Sequence, residues 1–115
     1  MREALLAALE EAVARLNARA EEAYPLDPLR EITYFVRADE ARIEAVAQYM
    51  SGHGPESAHV LEDRVVFEVN GRELRELQFE RNLGLADPET LVLADDGAMR
   101  AFVARVEGFL AEALP

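Results

Sequence analysis

The sequence predicts an α+β fold: a mostly antiparallel sheet of four to five strands with three helices, in the order α-β-α-β-β-β-β-α. Two observations carry this prediction. An Asn-Gly pair at positions 70 and 71 separates two runs of strand-like residues, which is the strongest short-range signal for a β-hairpin. Apolar residues recur at helical spacing near both ends of the chain. With 115 residues and no long linker, we expect one α+β domain over residues 1–115.

The predicted central hairpin covers residues 64–79. In its first arm Val65, Phe67 and Val69 alternate to one face, which is typical of a strand. Asn70 and Gly71 suit the two central positions of a type I′ turn, which both require positive φ. The second arm, residues 72–79, is rich in residues that favour helix. The turn nevertheless favours a strand there, with a helix as the alternative.

A helix is predicted at the N-terminus, over residues 2–23. Its composition is dominated by good helix formers. A stripe like this one suits packing on the protein's own sheet, and a partner or a second subunit is the alternative. The residues of the apolar stripe are Leu5, Leu9, Ala12, Val13, Leu16 and Ala20.

A first strand and a second helix are predicted next along the chain. Apolar residues alternate over residues 31–37, as in a strand. Asp39 is a suitable N-cap for a helix, and Gly52 a suitable residue to end it. The apolar face of this helix would comprise Ile43, Val46, Ala47 and Met50.

The other elements are short strands and a final helix. Residues 58–61 are predicted as a short strand, and Glu62-Asp63 as a tight turn into the central hairpin. Residues 90–94 are predicted as a short apolar strand. Asp95 or Asp96 then caps a last helix over residues 98–114, whose apolar residues again fall on one stripe.

Composition and charge bound the partners that the chain can take. The formal net charge is −11, which repels phosphate backbones and anionic lipids, so we expect no nucleic-acid and no membrane partner. No apolar run approaches the length of a membrane span, and no signal-peptide pattern opens the sequence. We therefore expect a cytoplasmic protein. Cysteine is absent, which excludes disulfides and thiol chemistry.

One loop carries a pattern that resembles a metal site. His53, Glu56 and His59 are spaced His-x2-Glu-x2-His, and two imidazoles with a carboxylate can hold zinc or iron. The spacing differs from the helical His-Glu-x-x-His motif, and Gly54 and Pro55 place it on a loop. Two solvent-exposed histidines beside a turn are the simpler interpretation. We therefore expect no cofactor.

The hairpin arginines raise the question of nucleic-acid binding. Arg64, Arg72, Arg75 and Arg81 lie there, but six acidic residues interleave with them, so cross-strand ion pairs are predicted instead of a basic patch.

The sequence offers few side chains for nucleophilic catalysis. It contains two serines and no cysteine, and neither serine lies in a Gly-x-Ser-x-Gly elbow. The sequence thus favours a protein that is not an enzyme.

Strand alternation predicts a second apolar face of the sheet. Phe35, Val66 and Val92 point away from the main core set, with Leu77 and Phe79 considered for the same side. An apolar patch of this kind is rarely left in water. Either the N-terminal helix covers it, in a three-layer fold, or a second subunit does, and of the two we expect an interface with a second subunit.

The predicted function is association with protein, as a non-enzymatic homodimer that pairs through this sheet face or through the N-terminal helix. Two alternatives stay open. One is a small-ligand or metal-binding protein that uses the loop around His53, Glu56 and His59. The other is an acidic mimic of nucleic acid that inhibits a basic protein.

Overall fold

The computed structural model describes residues 1–23, 31–51, 59–82 and 84–114, and it shows an α+β fold with one antiparallel sheet and two helices. Strands β1 to β4 follow each other across the sheet in chain order. Strands β5 and β6 both pair with β4, at its two ends, so the sheet is five strands wide. The elements are α1 (Arg2–Ala23), β1 (Ile32–Ala38), β2 (Arg42–Ser51), β3 (His59–Asn70), β4 (Glu73–Arg81), β5 (Gly84–Leu85), β6 (Glu89–Val92) and α2 (Asp96–Ala111).

Both helices pack on one face of the sheet and share a single hydrophobic core with it. The α1 stripe is buried as predicted, and α2 is capped by Asp95, whose carboxylate accepts a hydrogen bond from the Ala98 N–H at 2.8 Å. The sheet contributes the inward-facing residues of every long strand. Its buried members are Tyr34, Ile43, Ala45, Ala47, Val65, Phe67, Leu74 and Leu77, joined by Leu93.

The predicted second helix is wrong, because residues 42–51 form strand β2. Asp39 does use its carboxylate as a cap, but in a turn: it accepts hydrogen bonds from the N–H groups of Ala41 and Arg42 at 2.9 and 2.8 Å. These two bonds, from Arg42 first, lower the pKa of the Asp39 carboxyl. The turn returns the chain along β1, so a hairpin replaces the expected strand–helix unit.

The predicted turn at Glu62-Asp63 is also wrong. Strand β3 runs without interruption from His59 to Asn70 and pairs with β2 over its whole length, from Ser51 to Arg42. The two acidic residues sit inside the strand on opposite faces, where each has a hydrogen-bonding partner. Acidic residues are depleted in strands, so a pair of them between two apolar runs favours a turn by pattern alone.

The central hairpin is confirmed, including the strand in its second arm, but its turn differs from the prediction. Asn70 pairs with Glu73, so the two turn residues are Gly71 and Arg72. Positive φ occurs at Gly71 (61°) and is not shared by Asn70. Glycine at the first central position with positive φ matches a type II′ turn, so the type I′ assignment is wrong.

Replacing Gly71 with valine is expected to lower the free energy of unfolding by about 1 kcal/mol or more, because a β-branched residue resists positive φ. A Cβ at this position would meet no atom within 4 Å, so the loss reports backbone strain alone. Chemical denaturation followed by circular dichroism measures it. Gly71→Asn is the matched control and should lose less, since asparagine tolerates positive φ. Equal stability of wild type and Gly71→Val would contradict the turn geometry.

Strand β4 contains a β-bulge that explains its irregular sequence. Pairing with β3 shifts between Val66 and Glu68, and one extra residue, Glu76, adopts a φ of 53°. The bulge resets the alternation, so that Leu74 and Leu77 both point to the helices although they lie three residues apart. Without the extra residue one of these leucines would face the opposite side.

Candidate functional site

The sheet face opposite the helices is the candidate site, and we call it the open face. Within the described part of the chain, no helix lies over it. At its centre the side chains form three rows across the strands, because antiparallel partners stand side by side. The central rows contain Thr33, Phe35, Arg37, Glu44, Val46, Gln48, Glu62, Arg64, Val66, Gln78 and Glu80.

Ion pairs link the strands across the open face. Glu44 of β2 lies between arginines on both neighbouring strands: its Oε2 is 2.8 Å from Arg37 Nη2, and its Oε1 is 3.8 Å from Arg64 Nη1. Arg64 also contacts Glu80 of β4, with 2.5 Å between Nη2 and Oε2. The predicted cross-strand pairing of hairpin arginines is therefore confirmed for Arg64, and on the helix side for Arg81, whereas Arg75 pairs within its own strand.

The open face is nearly neutral in a strongly acidic protein. Apart from the bulge residue Glu76, its strands carry four arginines and five glutamates on this side, a net charge of −1, while the whole chain carries −11. Most of the excess negative charge therefore lies elsewhere. The arginines of this face are 37, 42, 64 and 75, and its glutamates are 44, 62, 68, 73 and 80.

The three residues predicted as an interface all lie on the open face, but with different exposure. Phe35 is half-buried, Val66 is 4% exposed, and Val92 is 59% exposed at the far edge. Val66 is thus covered within its own chain. Leu77 and Phe79, which were considered for the same side, instead point to the helices, where Phe79 meets the Phe109 ring edge-on at 5.1 Å.

Sequence reasoning missed two central residues of this face. Val46 pairs with Phe35 and is fully buried, and Glu44 makes the cross-strand ion pairs. Both were assigned to a helix that does not exist. The signal that would have found them is the alternation of Ile43, Ala45 and Ala47 toward the core, which leaves 44 and 46 on the other side.

A hollow of about 290 Å³ opens at one end of the open face, beside the turn between β1 and β2. It is lined by Arg37, Ala38, Asp39, Arg42 and Glu44. Both guanidinium groups already contact the Glu44 carboxylate, Arg42 at 3.5 Å. The hollow therefore belongs to the ion-pair network of the face.

A second polar cluster lies on the helix side of the sheet. Asp63 is 1% exposed; its Oδ2 accepts a hydrogen bond from Arg81 Nη1 at 2.8 Å, and its Oδ1 accepts from the Tyr49 hydroxyl at 3.1 Å and the Asn82 N–H at 3.0 Å. Burial, together with the Asp63 charge, raises the pKa of Tyr49, so the hydroxyl stays protonated and donates at neutral pH. All these groups satisfy one another, which indicates a structural role.

The predicted metal site is only partly within the described residues. His59 is exposed at the start of β3, whereas His53 and Glu56 lie outside the described residues. In residues 1–23, 31–51, 59–82 and 84–114, no group of three or more histidine or carboxylate side chains is placed to hold a metal ion.

Neither described helix combines the length and the apolarity needed to cross a membrane. Three comparisons with known proteins found no matching family model, curated protein or solved structure.

Proposed function

We propose that this protein acts through protein association in the cytoplasm, as a homodimer whose two subunits meet through the open face. The observation that carries the proposal is the charge of this face, which is nearly neutral in a chain of net charge −11. Two copies of an acidic protein repel each other over most orientations, and approach through the open face minimises that repulsion.

The burial of helix α1 within its own chain also favours the open face as the dimer surface. The apolar stripe of α1 packs in the core of its own chain, where Leu5, Leu9 and Leu16 are fully buried. It therefore offers a partner little apolar area. The N-terminal helix was the other surface considered for dimerisation, and its burial leaves the open face as the better candidate.

The side chains of the open face suit a two-fold contact. In an isologous interface the same patch meets itself, so a patch that carries both charges can pair its arginines with the partner's carboxylates. Half-buried Phe35 supplies apolar area beside these charges, and Arg37 lies over its ring at 5.3 Å. Aromatic and arginine side chains are the residues most enriched in protein interfaces.

Phe35→Glu is expected to convert the dimer to a folded monomer, because it places an unpaired carboxylate in the centre of the contact. Light scattering coupled to size exclusion, at micromolar concentration, should show wild type at twice the chain mass of 12.8 kDa and the variant at that mass. Ala104→Glu, on the exposed side of α2, is the matched control, since it adds the same charge away from the face.

A monomeric wild type would reject the homodimer outright. A variant that remains a dimer would show that the subunits meet through another surface. Equal dissociation by Ala104→Glu would indicate that total charge, and not the open face, controls association. Circular dichroism of each variant confirms that loss of mass is not loss of fold.

A further inference from the structure

The two edges of the sheet are protected in different ways. An exposed strand edge presents unpaired N–H and C=O groups, and proteins blunt such edges with short strands, prolines, bulges or a covering element. At the β4 side the outermost strands are β5, of two residues, and β6, of four, with Pro88 between them. This edge is too short and broken to pair with another chain.

Within its described residues, the β1 strand is neither short nor interrupted by a proline or a bulge. β1 pairs with β2 in an unbroken register over all seven of its residues, from Ile32 to Ala38. It contains no proline or glycine, and Arg37 is its one charged residue. A strand of high β-propensity with few charges is the type that pairs readily with a second chain.

Asn17 of α1 occupies the centre of this edge. Its Nδ2 donates a hydrogen bond to the Tyr34 carbonyl at 2.9 Å, and its Oδ1 accepts one from the Tyr34 N–H at 2.8 Å. A carboxamide presents an N–H donor and a C=O acceptor side by side, so it can make the same pair of bonds that a residue of a neighbouring antiparallel strand would make.

Helix α1 is fastened along the same edge at a second point. Arg2, at the start of the helix, donates a hydrogen bond to the Asp39 carbonyl, just beyond the end of β1. Because Asn17 contacts Tyr34 nearer the start of the strand, helix and strand run antiparallel. The two contacts hold Asn17 in register with the strand.

We propose that Asn17 is an edge plug that prevents β1 from pairing with β1 of a second copy. The occupant that it excludes is a second copy because β1 can pair with itself antiparallel around a two-fold axis, and the strand brings a regular, nearly uncharged edge to that contact. The plug is independent of the proposed open-face dimer, since the edge and the face are different surfaces.

Asn17→Leu tests the plug, because leucine keeps the side-chain volume and removes both hydrogen bonds. Size exclusion with light scattering over a range of concentrations is expected to show a weight-average mass at least twice that of wild type, with native-like circular dichroism. Adding Val36→Pro should return the mass to the wild-type value. Strand alternation points the N–H of Val36 to the open edge like that of Tyr34, so proline blocks edge pairing and leaves the bonds to β2. Val36→Pro alone is the control for folding.

A folded Asn17→Leu protein with the mass of wild type would overturn the proposal, as would association that Val36→Pro does not reverse. If Asn17→Leu does not fold, hydrogen exchange of the wild type decides. The Tyr34 amide must then exchange slowly although it faces the edge of the sheet, and rapid exchange would overturn the plug. This test is independent of the proposed open-face dimer. Even if Phe35→Glu abolishes that dimer, the masses with and without Asn17→Leu are compared in proteins that are otherwise identical.

Discussion

Replacing Phe67 with alanine is expected to lower the free energy of unfolding by about 4 kcal/mol, at the middle of the range for buried aromatic residues. Phe67 is fully buried in β3, and its ring meets that of Phe102 in α2 edge-on, with 5.4 Å between centroids and 87° between planes. The substitution therefore removes both a large buried area and an edge-on aromatic contact between the sheet and α2.

Denaturant unfolding of Phe67→Ala, Phe102→Ala and the double variant measures this contact as a double-mutant cycle. We expect a coupling of about 1 kcal/mol between the two rings, beyond their separate losses. Phe35→Ala, measured in dilute protein, is the matched control on the open face and should cost less because Phe35 is half-buried. A Phe67→Ala loss no larger than that of Phe35→Ala would contradict the assignment of the core to the helix side.

Asp63→Ala is expected to destabilise the protein by about 3 kcal/mol, the lower end for breaking a buried ion pair. The substitution leaves the Arg81 guanidinium without its buried partner and deprives the Tyr49 hydroxyl and the Asn82 N–H of their acceptor. The loss stays at the lower end because Arg81 reaches solvent and keeps its contact with Glu112, at 2.7 Å.

Two variants bracket the Asp63 effect. Glu107→Ala breaks the surface pair with Arg15 and should cost less than about 1 kcal/mol, as exposed ion pairs do. Tyr49→Phe removes one hydrogen bond to Asp63 and should cost about 1 kcal/mol. Chemical denaturation of the three variants gives the order of their losses in free energy of unfolding. An Asp63→Ala protein as stable as Glu107→Ala would show that the cluster does not tie the strands together.

The sequence was sufficient for elements whose periodicity is long and unambiguous. The α1 stripe from Leu5 to Ala20 recurs over about four turns, and a strand cannot bury that pattern. The first arm of the hairpin and helix α2 were found for the same reason. The three predicted interface residues reached one face because Phe35, Val66 and Val92 lie in strands that were recognised as strands.

The sequence did not predict strand β2, because its apolar residues fit both the helical period and the alternation of a strand. Ile43, Val46, Ala47 and Met50 satisfy helical spacing, yet the alternate set beginning at Ile43 is the one that enters the core. Pairing with β1 and β3 on both sides decides between them, and such tertiary contacts are not local in sequence. The centre of the open face was missed with the strand.

The bulge at Glu76 also could not be predicted from the local sequence pattern. A spacing of three between Leu74 and Leu77 contradicts a regular strand, and glutamate gives no indication of positive φ. Both leucines face the helices in the folded hairpin. One inserted residue makes this possible, because it shifts the strand alternation at a small backbone cost.

The chain-order arrangement of β1 to β4 also bears on how the protein folds. Each of these strands pairs with its neighbour in sequence, so sheet formation closes only short loops, which cost little entropy and form early. Docking of α1 on α2 is different, because it joins residues as distant as Arg15 and Glu107, which are 92 positions apart. The sheet therefore can assemble hairpin by hairpin, and the edge of β1 stays uncovered until the N-terminal helix docks.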